Sequence, residues 1–152
     1  MRLTRFTDYS LRVLIYLGLK QDQRVTIRRI SGAYGISKNH LMKVVSGLTR
    51  MGYLNAQRGP GGGIRLAQPP EQINLAEVIK YTEGDLMMVE CLDGEENCPI
   101  APVCNLQFII GEALGAFFRT LKAYTLKDLI EPQKDLSSLF KTAEEAASTE
   151  SV

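Results

Sequence analysis

Tyr53-Leu54-Asn55-Ala56-Gln57 and Ile64-Arg65-Leu66-Ala67 flank the stretch Arg58-Gly59-Pro60-Gly61-Gly62-Gly63. The flanks read as two short strands, and the six residues between them as a hairpin tip made almost entirely of backbone. Glycines such as Gly61 and Gly62 let a main chain approach a phosphate closely. Arg58, at the base of the tip, is placed to reach a narrow minor groove, where negative potential is concentrated. A nucleotide-phosphate loop is the competing reading. It fails because no Lys-Ser or Lys-Thr follows the glycines and the next element reads as strand, not helix. The hairpin therefore reads as a wing.

What precedes the wing gives it a partner. Thr26 can cap a helix running through Tyr34, with Gly35 suited to the left-handed residue that ends it, and Ser37 can cap a second helix to Met51, ended by Gly52. Two short helices joined by Tyr34-Gly35-Ile36 make a helix-turn-helix. Any two amphipathic helices with a glycine turn imitate that pattern, so the wing is what makes it specific. In the second helix Leu41, Val44, Val45 and Leu48 form an inner stripe, which leaves Lys38, Asn39, His40 and Lys43 outward to read base edges in a major groove. Thr26, Arg28, Ser37, Gly61, Gly62 and Arg65 are expected against the DNA backbone. Before these helices lies another, from Thr4 to about Lys20, in which Phe6, Tyr9, Val13, Tyr16 and Leu17 recur at helical spacing. Asp8 and Arg12 on it stand four apart and can pair. Taken alone, Asp8 reads as a first-turn acid favoured by the helix dipole.

The net charge of +1 hides a polarised chain. Residues 1–70 hold 12 Lys and Arg against Asp8 and Asp22 alone, a net +10, whereas residues 71–152 hold 6 against 15 Asp and Glu, a net −9. The first half is suited to a polyanion such as double-stranded DNA.

Asn74 and Glu77 suggest a capping box opening a helix through Glu83, with Gly84 closing a DNA-binding domain over 1–84. A loop rich in Gly, Pro and acidic residues follows over 85–104. Cys104 leads into a helix to about Tyr124 whose apolar residues, among them Phe108, Ile109, Leu114, Phe117 and Phe118, surround most of its circumference. One small domain cannot bury all of that, so a second copy of the chain is expected against it. Thr125 and Asp128 can open a short helix stopped by Pro132, and 105–132 reads as a dimerisation unit. The small, acidic, Ser-rich segment 133–152 reads as a flexible tail. The fold expected is mainly α: a winged helix-turn-helix plus a long dimerisation helix carrying a cysteine loop. The start of the chain lacks the pattern of a signal peptide, and its longest nearly apolar run, Phe108 to Phe118, is too short for a membrane span. A cytoplasmic protein is expected.

Cys91, Cys98 and Cys104 are the only cysteines, spaced Cys-x6-Cys-x5-Cys. In a reducing compartment such a cluster favours metal binding or redox chemistry over disulfides. A structural zinc site normally takes a tight Cys-x2-4-Cys pair and four Cys or His ligands; here the pair is absent, and His40, the one histidine, lies on the DNA-reading helix. Wider spacing suits an iron–sulfur cluster. Zinc and free thiols remain open on composition alone.

The opening Met1 to Arg12, the helix Ile36 to Val45, the wing Arg58 to Gly63 and the three cysteines together resemble the nitric-oxide-sensing repressors of the NsrR group. These belong to the winged-helix regulators that include the iron–sulfur-cluster regulator IscR. The resemblance covers roughly residues 1–130. It implies a homodimer crossed at its long helices, with Cys91, Cys98 and Cys104 holding an iron–sulfur cluster of the 4Fe-4S type, or alternatively 2Fe-2S. It also implies that Asp8 of the partner subunit supplies the remaining ligand, replacing the dipole reading of Asp8. IscR uses a histidine three residues after its last cysteine, where this chain has Gln107. The function implied is a transcriptional repressor that releases its operator when nitric oxide attacks the cluster. Two alternatives stand beside it: sensing of iron or cluster supply, and a metal-free regulator controlled by a partner protein. An enzyme is not expected, because the chain shows no cofactor fingerprint, no paired acid and base and no nucleophile beside His40.

Overall fold

The computed structural model describes residues 2–84, 86, 89 and 98–149. Its first helix, α1 (Arg5–Gly18), is capped by Thr4, whose hydroxyl accepts from the Thr7 amide at 3.2 Å. Val13, Leu14, Tyr16 and Leu17 bury one face. A run of hydroxyls moors the start of α1. The Thr4 amide donates to Glu83 Oε1 at 2.7 Å, the Thr7 hydroxyl to Thr82 Oγ1 at 2.9 Å, and Thr82 Oγ1 to the Val78 carbonyl at 2.9 Å.

Helix α2 (Ile27–Tyr34) is capped by Thr26 and ends at Gly35, where φ is +65°, and α3 (Lys38–Arg50) is capped by Ser37. Both caps stand where expected. Leu41, Val44, Val45 and Leu48 are buried against the rest of the core. Strands β1 (Leu54–Gln57) and β2 (Gly63–Leu66) pair antiparallel with Asn55 opposite Arg65 and Gln57 opposite Gly63. The wing has a further rung that sequence reading did not anticipate. Val25 pairs with Ile64, exchanging amide bonds of 2.9 and 2.8 Å, and so joins the wing to the entrance of α2.

A 3-10 turn at Pro70–Gln72 leads to α4 (Leu75–Glu83). Asn74 caps α4 by accepting from the Ala76 amide at 3.0 Å, while its side-chain amide donates to the carbonyls of Lys122 and Tyr124 at 2.9 and 3.2 Å. The residue expected only as a cap thus also holds the end of a distant helix. That helix, α5 (Leu106–Lys122), follows a second 3-10 turn at Ala101–Val103. Lys80 of α4 lies over the Phe118 ring at 4.9 Å. Helix α6 (Leu126–Ile130) opens with a capping box in which the Thr125 amide and hydroxyl donate to Asp128 Oδ2 at 2.6 and 2.9 Å. Those bonds hold the Asp128 carboxyl below the usual range. Leu126 and Ile130 enter the same core as α1 and α3.

The expectation of a flexible tail over 133–152 is corrected by α7 (Gln133–Thr149). Leu136 and Phe140, four apart, share a helix face, and Phe140 packs edge-on to Tyr16 and Tyr34 with ring centres 5.1 and 5.2 Å away. The acidic, Ser-rich composition suggested a chain unable to bury apolar surface. Two well-spaced residues outweigh it because an aromatic pocket on α1 and α2 receives them.

Candidate DNA-reading surface and cysteine site

The outward face of α3 is a continuation of its caps and its buried stripe. With Leu41, Val44, Val45 and Leu48 turned inward, the opposite face carries Asn39, Lys43, Ser46 and Arg50, all exposed. Lys38 and Met42 flank it toward the wing. His40, though exposed, is held on the other flank: its amide donates to Ser37 Oγ at 3.3 Å, its Nδ1 lies 3.0 Å from the same hydroxyl, and its ring centre is 5.9 Å from that of Tyr9. Sequence reading named Lys38, Asn39, His40 and Lys43 but missed Met42, Ser46 and Arg50. Continuing the spacing Asn39, Lys43, Ser46 and Arg50 along the helix was the signal available.

Between α3 and the wing runs an open groove of about 780 Å³, lined among others by Thr26, Met42, Ser46, Arg50, Arg58 and Gly62. The structure therefore brings four separately read features, the α2 cap, α3, the wing base and the wing tip, onto one surface. Arg28 and Arg65 are exposed but are not among the residues that line it. The tip is built on glycine where the backbone demands it. Gly61 has φ of +71°, and a Cβ at Gly62 would fall 2.4 Å from the Gln57 carbonyl oxygen and 2.7 Å from that of Gly59. Gly62→Ala should force the tip backbone to shift and cost about 1–3 kcal/mol of stability while leaving the core folded, because its Cβ would meet the carbonyl oxygens of Gln57 and Gly59. It should weaken duplex DNA binding by about tenfold, equivalent to one lost contact of about 1.4 kcal/mol. A titration curve identical to that of the unaltered protein would show that the tip does not meet DNA.

The cysteine site is described in part. Cys91 lies outside the described residues. Cys98, exposed, and Cys104, half-buried, are both free thiols. Cys104 sits just before α5, and the Leu106 amide donates to its sulfur at 3.4 Å. Among the described residues no three His, Cys, Asp or Glu groups converge on a point. Asp8, on the first turn of α1 directly after the moored Thr7, is 47 % exposed and pairs with the Arg12 Nε at 3.1 Å. Arg12 in turn lies over the Tyr34 ring at 5.8 Å, and its carbonyl accepts from the Tyr34 hydroxyl at 3.1 Å. Burial pushes that hydroxyl up to about 12, against the pull of Arg12. The donor chemistry fits an iron–sulfur cluster. The thiols are soft ligands in reach of solvent, one already accepting the kind of N–H bond that cluster sulfurs accept, and the carboxylate is available to a neighbouring chain.

Helix α5 leaves apolar side chains exposed. Among the described residues none of its side chains is buried, and Phe108 is 73 % and Ile109 57 % exposed. Among the described residues no helix is long and apolar enough to cross a membrane.

Residues 3–132 match Rrf2, the family described as iron-dependent transcriptional regulators. The chain belongs to the Rrf2 family. It is 48 % identical over 146 residues to the HTH-type transcriptional regulator NsrR of Bacillus subtilis, covering 95 % of this chain and all of that one. It is 46 % identical over 143 residues to the NsrR of Geobacillus kaustophilus, covering 93 % and 97 %. Among solved structures, CymR (YrzC), the global cysteine regulator of B. subtilis, matches with a TM-score of 0.70 at 26 % identity over 86 % of this chain and 97 % of that one. The fold is shared with T. potens IscR, at a TM-score of 0.67 and 19 % identity over 87 % and 88 % of the two chains. The chain is thus an Rrf2-family winged-helix transcriptional regulator that binds DNA, and not an enzyme.

Proposed function

We propose that this chain is a homodimeric transcriptional repressor that senses nitric oxide through an iron–sulfur cluster held by Cys91, Cys98, Cys104 and Asp8 of the partner subunit. The observation that carries the proposal is the placement of Cys104 at the head of α5. The ligand loop joins directly to a helix whose exposed apolar face calls for a second subunit. The similarity to proteins named NsrR supports the same reading. Bound there, a 4Fe-4S or 2Fe-2S cluster would supply iron sites open to a small neutral ligand. Asp8 would leave Arg12 to reach the partner's cysteine loop, and on release it would return to Arg12. The exchange would alternately make and break the link between α1 of one subunit and the cysteine loop of the other, and so change the spacing of the two α3 helices on a two-fold operator. A few kcal/mol of difference between the two states is enough to change operator occupancy.

Two measurements bear on this. Anaerobically purified protein should be brown, and nitric oxide titration should bleach its absorbance and release operator DNA in parallel. Bleaching with operator occupancy unchanged would sink the proposal. Asp8→Ala should bind operator with the same affinity before and after nitric oxide, in a gel-shift or anisotropy assay. The family description, iron-dependent, favours a second reading in which iron or cluster supply is the signal. On that reading iron chelation releases the operator and brief nitric oxide exposure does not.

A further inference from the structure

Five apolar side chains of α3 are large enough to pack: Leu41, Met42, Val44, Val45 and Leu48. Four are buried, and Met42 is 51 % exposed. A single exposed apolar residue is ordinary, so its exposure alone assigns nothing. Its surroundings do. Met42 shares a helix stripe with Lys38, Ser46 and Thr49, at offsets of four and seven residues, and it lines the groove between α3 and the wing together with Thr26, Arg50 and Arg58. Every other large side chain on the outward half of α3 is polar or charged, and the chain is a DNA-binding regulator whose basic half contains this surface. Of the groups that base pairs present in a major groove, the thymine C5-methyl is the one apolar group that projects from the base edge, where cytosine has only a C5–H.

We propose that Met42 reads a thymine methyl group in each half-site of the operator. The inference rests on the reading that α3 enters the major groove, and adds to it a base identity. The flexible thioether reaches the methyl without a directional bond, so Met42 selects for thymine by excluding water from an apolar contact.

The test uses the full-length, anaerobically purified chain and a duplex selected from a random DNA library. Each selected thymine is replaced in turn by deoxyuridine, which lacks only the methyl group. One symmetric pair of positions should lose about fourfold in affinity per half-site, about fifteenfold for both, the value of one methyl group withdrawn from water. Met42→Ala should bind the thymine duplex about as weakly as the unaltered protein binds the uracil duplex, with no further loss on uracil replacement. Met42→Leu should keep the discrimination. Absence of any uracil-sensitive thymine, or discrimination undiminished in Met42→Ala, overturns the inference. Lys43→Ala separates the two levels. If it leaves the affinity for every duplex unchanged, α3 is not in the groove and the underlying reading falls; if it weakens all duplexes evenly while Met42→Ala still discriminates, only the Met42 assignment falls.

Discussion

Cys104→Ser should give a colourless protein with less iron than the unaltered chain, and should lose operator affinity by about 5–150-fold, the span of a site-to-site coupling of 1–3 kcal/mol. The substitution is a narrow one. Serine is close in size to cysteine, and its oxygen can accept the Leu106 amide that now donates to Cys104 Sγ at 3.4 Å, so the first turn of α5 keeps its partner. What is lost is the soft thiolate. Cys104 is also the better choice over Cys98, because Cys104 is half-buried at the head of α5 with a defined partner for its sulfur, whereas Cys98 is exposed. The measurements are the visible absorbance, iron content, helix content by circular dichroism and operator binding, all on anaerobically prepared protein. Unchanged helix content with lost colour and lost affinity is the expected combination. Full operator affinity together with a retained nitric oxide response would remove Cys104 from the sensor.

The DNA-binding half of the fold was legible because its signals are local. Thr26, Ser37, Gly35 and Gly52 mark helix ends by chemistry that acts within a turn, and the glycine-rich tip between two short strands has few other meanings. Only part of the candidate surface followed from the same signals: α3 exposes what its buried stripe does not use, yet Met42, Ser46 and Arg50 on that exposed side were missed. What escaped notice depends on contacts between residues distant in sequence. Nothing near Val25 announces that it pairs with Ile64, nothing near Asn74 that its amide reaches the carbonyls at the end of α5, and α7 is a helix because Phe140 finds Tyr16 and Tyr34. Composition was the wrong guide to that last segment, because two apolar side chains in register contribute more than the average polarity of their neighbours. Asp8 shows a third case. Its position on the first turn was clear, yet both its pairing with Arg12 and its proposed ligation are compatible with the sequence. Only the resemblance to known regulators raises the proposal of a ligand beside the reading of a dipole-stabilising acid.

Leu126→Ala should cost about 2–5 kcal/mol of stability, the range for removing a leucine side chain from a packed core, and lower the melting temperature by roughly 5–15 °C for a chain of this size. Leu126 is fully buried, and its surroundings have little room to collapse. A Cβ added at Gly18 would stand 3.5 Å from Leu126 Cδ2 and 3.3 Å from two carbons of Ile130, so α1 and α6 already meet with nothing between them but these side chains. The backbone is fixed on both sides of the position. The Leu126 amide donates to the Ile73 carbonyl at 2.9 Å, and the preceding Thr125 is held by its capping box with Asp128. The cavity therefore persists, and the cavity term adds to the lost transfer energy. Leu139→Ala is the internal comparison. It lies on α7, is 67 % exposed, and should change stability by no more than about 0.5 kcal/mol. Both are measured by thermal and urea unfolding of the same preparation. A Leu126→Ala loss no larger than that of Leu139→Ala would mean that α6 is not part of the core. The packing of α6 on α1, the helix that carries Asp8, would then not hold α1 in place. If the loss is as large as expected, α6 and the helix proposed to reach the partner's cluster are anchored in one rigid body, as the proposed switch requires.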